Sequence, residues 1–222
     1  MAVADPTSSA ASVDLYWLPL GAGGRSVRLN GRLYEALRAL FDGREPLDLY
    51  HSALEVRVPE GRFVIEMTPS VNGVAAKRGV VAEGAVGCRK AGRFKIFRYE
   101  VRRWREGVIA DVDEAIDSPQ RLTDDPCRAR RLLELLPSVP TPVWGRDELH
   151  AGEMWNSNSV ISWLIARSGL SREVAHLPEH GRAPGWESGL AVARRQPWVQ
   201  PRELAEAERA HRELARRIGY EL

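Results

Sequence analysis

Apolar residues alternate with polar ones through the first half of the chain. In the second half they recur every three or four positions, so strands are expected first and helices after. Residues 14–20 (DLYWLPL) read as a strand, stopped by the glycine-rich turn at 21–24. Asn30 is placed to cap an amphipathic helix whose apolar stripe is Leu33, Leu37 and Leu40 and which ends near Gly43. Two strands follow, 47–58 (LDLYHSALEVRV) and 62–68 (RFVIEMT), joined by Pro59-Glu60-Gly61. A glycine where positive φ is wanted marks this as a hairpin. Further strands near 79–86 and 93–104 complete an expected meander of neighbouring antiparallel strands.

After Asp111 the periodicity becomes helical. Residues 127–136 (CRARRLLELL) form one predicted helix, ended by Pro137 and followed by an extended connector through Pro140 and Pro142. Residues 156–168 (NSNSVISWLIARS) form another, with Gly169 at its C′ position. A loop at 178–184 leads to a short helix at 187–195. A C-terminal helix starts at Pro201 and runs to about Ile218, with Leu204, Ala207, His211, Leu214 and Ile218 on one stripe. Strands in a block and then helices imply an α+β fold. The expected organisation is a flexible tail over residues 1–12, one α+β domain over 13–200, and the 201–222 helix packed on it.

Composition narrows the class further. The 222 residues, 44% hydrophobic and 28% charged, suit a folded domain and exclude a largely disordered chain. Two cysteines, Cys88 and Cys127, exclude a disulfide framework. No apolar run approaches the ~18 residues of a membrane span. The start of the chain has neither the basic nor the apolar stretch of a secretory leader, so a cytoplasmic setting is expected. Only three of the 32 basic residues are lysine, a skew that reads as compositional. A net charge of +2 argues against a general polyanion binder. The exception is local: from Arg93 to Arg105 (RFKIFRYEVRRWR), basic and aromatic residues interleave. That pattern can bind nucleic acid, or it is a strand with arginines paired to Asp111, Asp113 and Glu114. The histidines show no metal-ligand spacing, and no cofactor is expected.

Three short segments together carry candidate chemistry. His51 lies near the start of one strand, Glu66 sits among apolar neighbours on the next, and Asn156-Ser157-Asn158-Ser159 opens a helix. A hydroxyl at a helix N-terminus, a base and an orienting carboxylate make the minimal triad. Ser157 precedes Val160 and Ile161 of the buried stripe and so faces the sheet, whereas Ser159 points toward Ser162 and Trp163. Either serine is a candidate nucleophile, and Glu55 rivals Glu66 as the group orienting His51. Asn156 and the first-turn amides are candidate oxyanion donors, with Asn158, Ser159 and Trp155 lining a substrate site. A four-residue turn would set Ala53 opposite Glu66 with His51 diagonal to it on the same face; a three-residue turn would separate them. Trp144-Gly145-Arg146-Asp147 and Pro184-Gly185-Trp186-Glu187 have the composition of loops that frame a cleft.

In this order (a strand histidine followed by a short apolar run, a polar residue inside the next strand, and a helix opening at the place of the family's Asn-Cys-x-x-aromatic segment, here Asn156-Ser157-Asn158-Ser159-Val160) the chain resembles the circularly permuted papain-like group. That group includes NlpC-like peptidases, lecithin–retinol acyltransferase-like proteins and PPPDE-like peptidases. His51 to Val56, Val64-Ile65-Glu66 and Asn156 to Val160 carry the resemblance, which spans roughly residues 47–170. It implies a hydrolase or acyltransferase acting on an amide or ester of a small-molecule, peptide or acyl substrate. Ser157 would be the nucleophile, His51 the base and Glu66 the orienter. The family nucleophile is cysteine. Serine in its place must lose its proton in concert with attack, or the site is a non-catalytic binding module.

Overall fold

The computed structural model describes residues 11–20, 47–70, 79–170 and 175–197. The helix expected at 30–43 and the C-terminal helix from Pro201 lie outside them. In chain order the strands are β1 (Ser12–Pro19), β2 (Asp48–Val58), β3 (Gly61–Pro69), β4 (Val80–Ala85), β5 (Arg98–Arg105), β6 (Ile116–Thr123) and the short β7 (Gly181–Arg182). The helices are α1 (Pro126–Leu135), α2 (Ser157–Arg167) and α3 (Trp186–Arg195). The class is α+β, with an antiparallel sheet and helices packed on it.

The sheet order is β4-β5-β3-β2-β1-β6, with β7 pairing parallel to β2. It departs from the expected meander in one respect: β1–β2, β2–β3 and β4–β5 are sequential antiparallel neighbours, but β5 is inserted between β3 and β4. The β2–β3 register pairs Val58 with Gly61 and Leu54 with Ile65, which is the four-residue turn. Gly61 has φ of +138°, a conformation that L side chains rarely adopt. β6 went unanticipated because IDSPQRLT lacks apolar alternation and contains Pro119; as an edge strand it tolerates that missing donor. Ala11 and Ser12, expected in the tail, are buried, and Ser12 begins β1; the rest of that stretch lies outside the described residues.

One sheet face carries the main core. Trp17 of β1, Tyr50, Leu54, Val56 and Val58 of β2, Ile65 and Met67 of β3, and Tyr99 and Val101 of β5 point into it. α2 closes this side with Val160, Ile161, Leu164 and Ile165, all without exposed surface. Each of these is worth about 1.5–3 kcal/mol of burial. α1 adds Leu132, Leu133 and Leu135, and its N-cap Asp125 accepts a hydrogen bond from the Cys127 amide. The opposite face holds a smaller apolar cluster of Leu18, Ala53, Val64 and Ile109.

That second face is also charged. Arg102 of β5 donates to Glu66 Oε1 and to Glu100 Oε2, each at 3.1 Å, and Ser70 donates to Glu100 Oε1 at 2.8 Å. Glu55 receives Arg57 at 2.6 Å and Arg62 at 2.8 Å, and Asp14 receives Arg121 at 2.5 Å. Within the 93–105 stretch Arg98 pairs with Glu83 of β4, and Arg102 with Glu66 of β3 and Glu100 of its own strand, carboxylates other than those expected from the sequence. The strand expected from 93 is shorter too. Residues Arg89–Arg93 and Lys95–Phe97 form two 3₁₀ turns, and β5 begins only at Arg98.

Candidate functional site

The helix opening is held by its own polar residues. Asn156 caps α2: its Oδ1 accepts from the Asn158 and Ser159 amides, while Ser159 Oγ accepts from the Asn156 amide at 3.1 Å, a reciprocal capping box. Asn156 Nδ2 donates to Pro184 O at 2.8 Å, and Ser159 Oγ donates to Gly185 O at 2.7 Å. Asn158 is buried and fully engaged. Its Nδ2 donates to Tyr50 O at 2.9 Å and to Pro184 O at 3.0 Å, and its Oδ1 accepts from Ser52 Oγ at 2.9 Å. Ser162 continues the row, donating to Trp186 O at 2.7 Å. The polar run thus locks α2 to β2 and to the 184–186 loop.

These bonds bear directly on the expected oxyanion donors. The Asn156 amide group is spent on Pro184, and the Asn158 and Ser159 amides are spent on Asn156. Ser157 is buried and its hydroxyl makes no hydrogen bond to a described residue. Trp155 is buried beside it, with its Nε1 unpartnered among the described residues.

His51 stands on the other side of the sheet. Tyr50, Leu54 and Val56 of β2 enter the helix-side core, and Ser52 reaches Asn158 there. Alternation along the strand turns His51, Ala53 and Glu55 the other way. β1 and β2 pair without a bulge through this stretch, Trp17 with Ser52 and Leu18 with His51. Ala53 and Leu18 accordingly belong to the second cluster. The sheet itself separates the His51 imidazole from Ser157, and from Ser159 equally. The convergence expected of Ser157, His51 and Glu66 is therefore not formed. The reason is strand parity: the neighbouring Ser52, and not His51, is the β2 side chain that meets α2.

His51 and Glu66 do share a face, as the four-residue turn requires, but each serves another environment. Burial pushes the His51 pKa down to about 4, opposed only by the Asp111 carboxylate. Burial raises the Glu66 pKa despite Arg102 beside it. Glu66 is bonded to Arg102 and Glu55 to Arg57 and Arg62, so both expected orienters are committed to arginines. An imidazole held neutral by burial is a competent base in charge state, yet the hydroxyl it would serve is across the sheet.

Open space lies elsewhere, along the connector from Thr141 to Gly152. Three adjoining clefts share lining residues. The first, about 340 Å³, lies between β4 (Glu83 to Ala85), Arg98 and Thr141-to-Val143. The second, about 630 Å³, is bounded by Gly87 to Lys90, Arg146 and Asp147. The third, about 250 Å³, lies between Asp147, Glu153 and the Arg182-to-Gly185 loop. Both aromatic-glycine loops singled out in the sequence contribute walls. Charges of both signs line the furrow, some already paired: Arg89 with Glu148 at 2.8 Å, and Arg182 with Glu153 at 3.5 Å.

Searches for relatives add nothing to this geometry: no family model, no curated protein and no solved structure matches the chain. Among the described residues no group of His, Cys, Asp and Glu side chains is arranged to hold a metal ion, and no helix is long and apolar enough to cross a membrane. Cys88 and Cys127 are both free and exposed.

Proposed function

We propose that this chain is a binding module of permuted papain-like type, in which the Asn156–Ser159 segment builds the fold and a peptide occupies the furrow along the 141–152 connector. The observation that carries the reading is the placement of Ser157 and His51 on opposite sides of the sheet. A helix across an antiparallel sheet and a histidine on β2 fit the papain-like resemblance. The face that His51 occupies does not fit an acyl-transfer site. An open furrow of mixed charge suits an extended peptide better than a uniform polyanion, because each sign of side chain finds a partner along it.

A random dodecapeptide array probed with the full chain tests this. Selected peptides should bind, lose binding in Arg146→Glu, and bind Ser157→Ala as well as the parent. An array with no binders overturns the module reading. Fluorophosphonate labelling of the parent that disappears in both Ser157→Ala and His51→Ala would instead establish the hydrolase or acyltransferase reading with Ser157, His51 and Glu66 in their triad roles.

A further inference from the structure

The two 3₁₀ turns between β4 and β5 present an unusual surface. Phe94 is 52% exposed, Ile96 79% and Phe97 43%, large apolar side chains within four residues of one another. Around them stand Arg89, Lys90, Arg93, Lys95 and Arg98, and the segment from Cys88 to Arg98 contains no acidic residue. Arg89 and Arg98 pair with Glu148 and Glu83 at the base. Lys90, Arg93 and Lys95 are exposed and pair with no carboxylate among the described residues, Arg93 lying 4.6 Å over the Phe94 ring.

The tip is held in place from below. The Val86 amide donates to Phe97 O at 2.8 Å, closing the excursion. Inside it, Phe94 N to Ala91 O at 2.9 Å and Phe97 N to Phe94 O at 3.0 Å fix the turns. Arg98 Nε donates to Gly92 O at 2.5 Å. Gly92 lies so close to β4 that a Cβ would sit 2.7 Å from the Ala85 Cβ. Exposing apolar side chains on a braced loop leaves apolar surface in water that folding did not remove, the usual mark of a surface with a partner.

We propose that this tip docks on the surface of an anionic phospholipid bilayer, with Phe94, Ile96 and Phe97 entering the boundary between headgroups and acyl chains and Lys90, Arg93 and Lys95 meeting the phosphates. Charge complementarity names the partner's sign, and the apolar residues name its interior. Single-stranded nucleic acid is the other partner that basic and aromatic residues suggest. It stacks on ring faces, whereas the most exposed side chain here, Ile96, has none and gains only by leaving water. The tip adjoins the peptide furrow, whose second cleft Lys90 also lines, but Arg93, Phe94, Lys95, Ile96 and Phe97 line none of the three clefts.

Co-sedimentation of the full chain with vesicles tests it. Phosphatidylcholine vesicles containing 30% phosphatidylglycerol should pellet the protein, and pure phosphatidylcholine vesicles should not. Replacing Lys90, Arg93 and Lys95 by Ala should weaken binding by on the order of fivefold per charge, and Ile96→Ser by about tenfold. Thermal melts matching the parent confirm that these exposed variants fold. Absence of binding to anionic vesicles, binding unchanged in the variants, or binding of oligo(dT) in place of vesicles would each overturn the proposal.

Discussion

Asn158 and Ser157 are adjacent in the chain and have opposite consequences for stability. Asn158 uses both hydrogens of its amide and its carbonyl oxygen in a buried setting, joining β2, α2 and the 184–186 loop. Truncating it leaves Tyr50 O and Ser52 Oγ without their partner where water is absent. Asn158→Ala should therefore cost about 2–4 kcal/mol in urea unfolding. Ser157→Ala removes a hydroxyl with no bond to a described residue and should stay within about 0.5 kcal/mol of the parent. A larger loss for Ser157 than for Asn158 would reverse the roles assigned to them. The sequence marked all four polar residues of this opening as special, and capping was legible there. What each side chain bonds to was not, because Tyr50, Ser52 and Pro184 are remote in the chain and only folding brings them together.

At the scale of elements, α2 and α3 approach each other through Gly189. A Cβ at this position would lie 2.1 Å from Ser159 O and from Ser162 Oγ. In an isolated helix, Gly to Ala stabilises by about 1 kcal/mol. Here the contact dominates, and Gly189→Ala should destabilise by about 1–3 kcal/mol, read as a lower thermal midpoint. A raised midpoint would mean that the helices are not this closely packed. Both helices were legible from periodicity, as were β1, β2, β3 and β4 to within a few residues. The 93–104 strand was overdrawn at its start because alternation in RFKIF looks the same whether its apolar residues are buried or, as here, exposed. β6 was missed for the converse reason: its pairing with β1 comes from tertiary position, with hardly any apolar pattern of its own.

Over the whole molecule, the charged face of the sheet makes stability depend on pH. His51 has a folded pKa of about 4 against about 6.5 in the unfolded chain. Between those values the unfolded chain takes up a proton that the folded one does not. Stability from this group is complete above pH 6.5, falls as the pH drops toward 4, and changes no further below it. The loss should reach about 3 kcal/mol. Urea midpoints of the parent and His51→Leu between pH 7 and 4 isolate it: the difference between the two proteins should narrow or reverse on acidification. Parallel pH profiles would show that His51 is as open to protonation when folded as when unfolded.

The amino-acid sequence by itself determined the α+β class of this protein, the existence of its β2–β3 hairpin, and the helix that Asn156 caps, while the hairpin's register was left to the structure. Class, hairpin and helix are set by local pattern, turn chemistry and capping, which act within a few residues. Only the tertiary structure decided the sheet order, the position of β6, and which face of β2 meets α2. Side chains along a strand alternate, so one step in sequence, from His51 to Ser52, is the whole thickness of the sheet in space. Which of the two faces the helix depends on residues distant in the chain, Trp17 and Ile161 in one core and Leu18 and Val64 in the other.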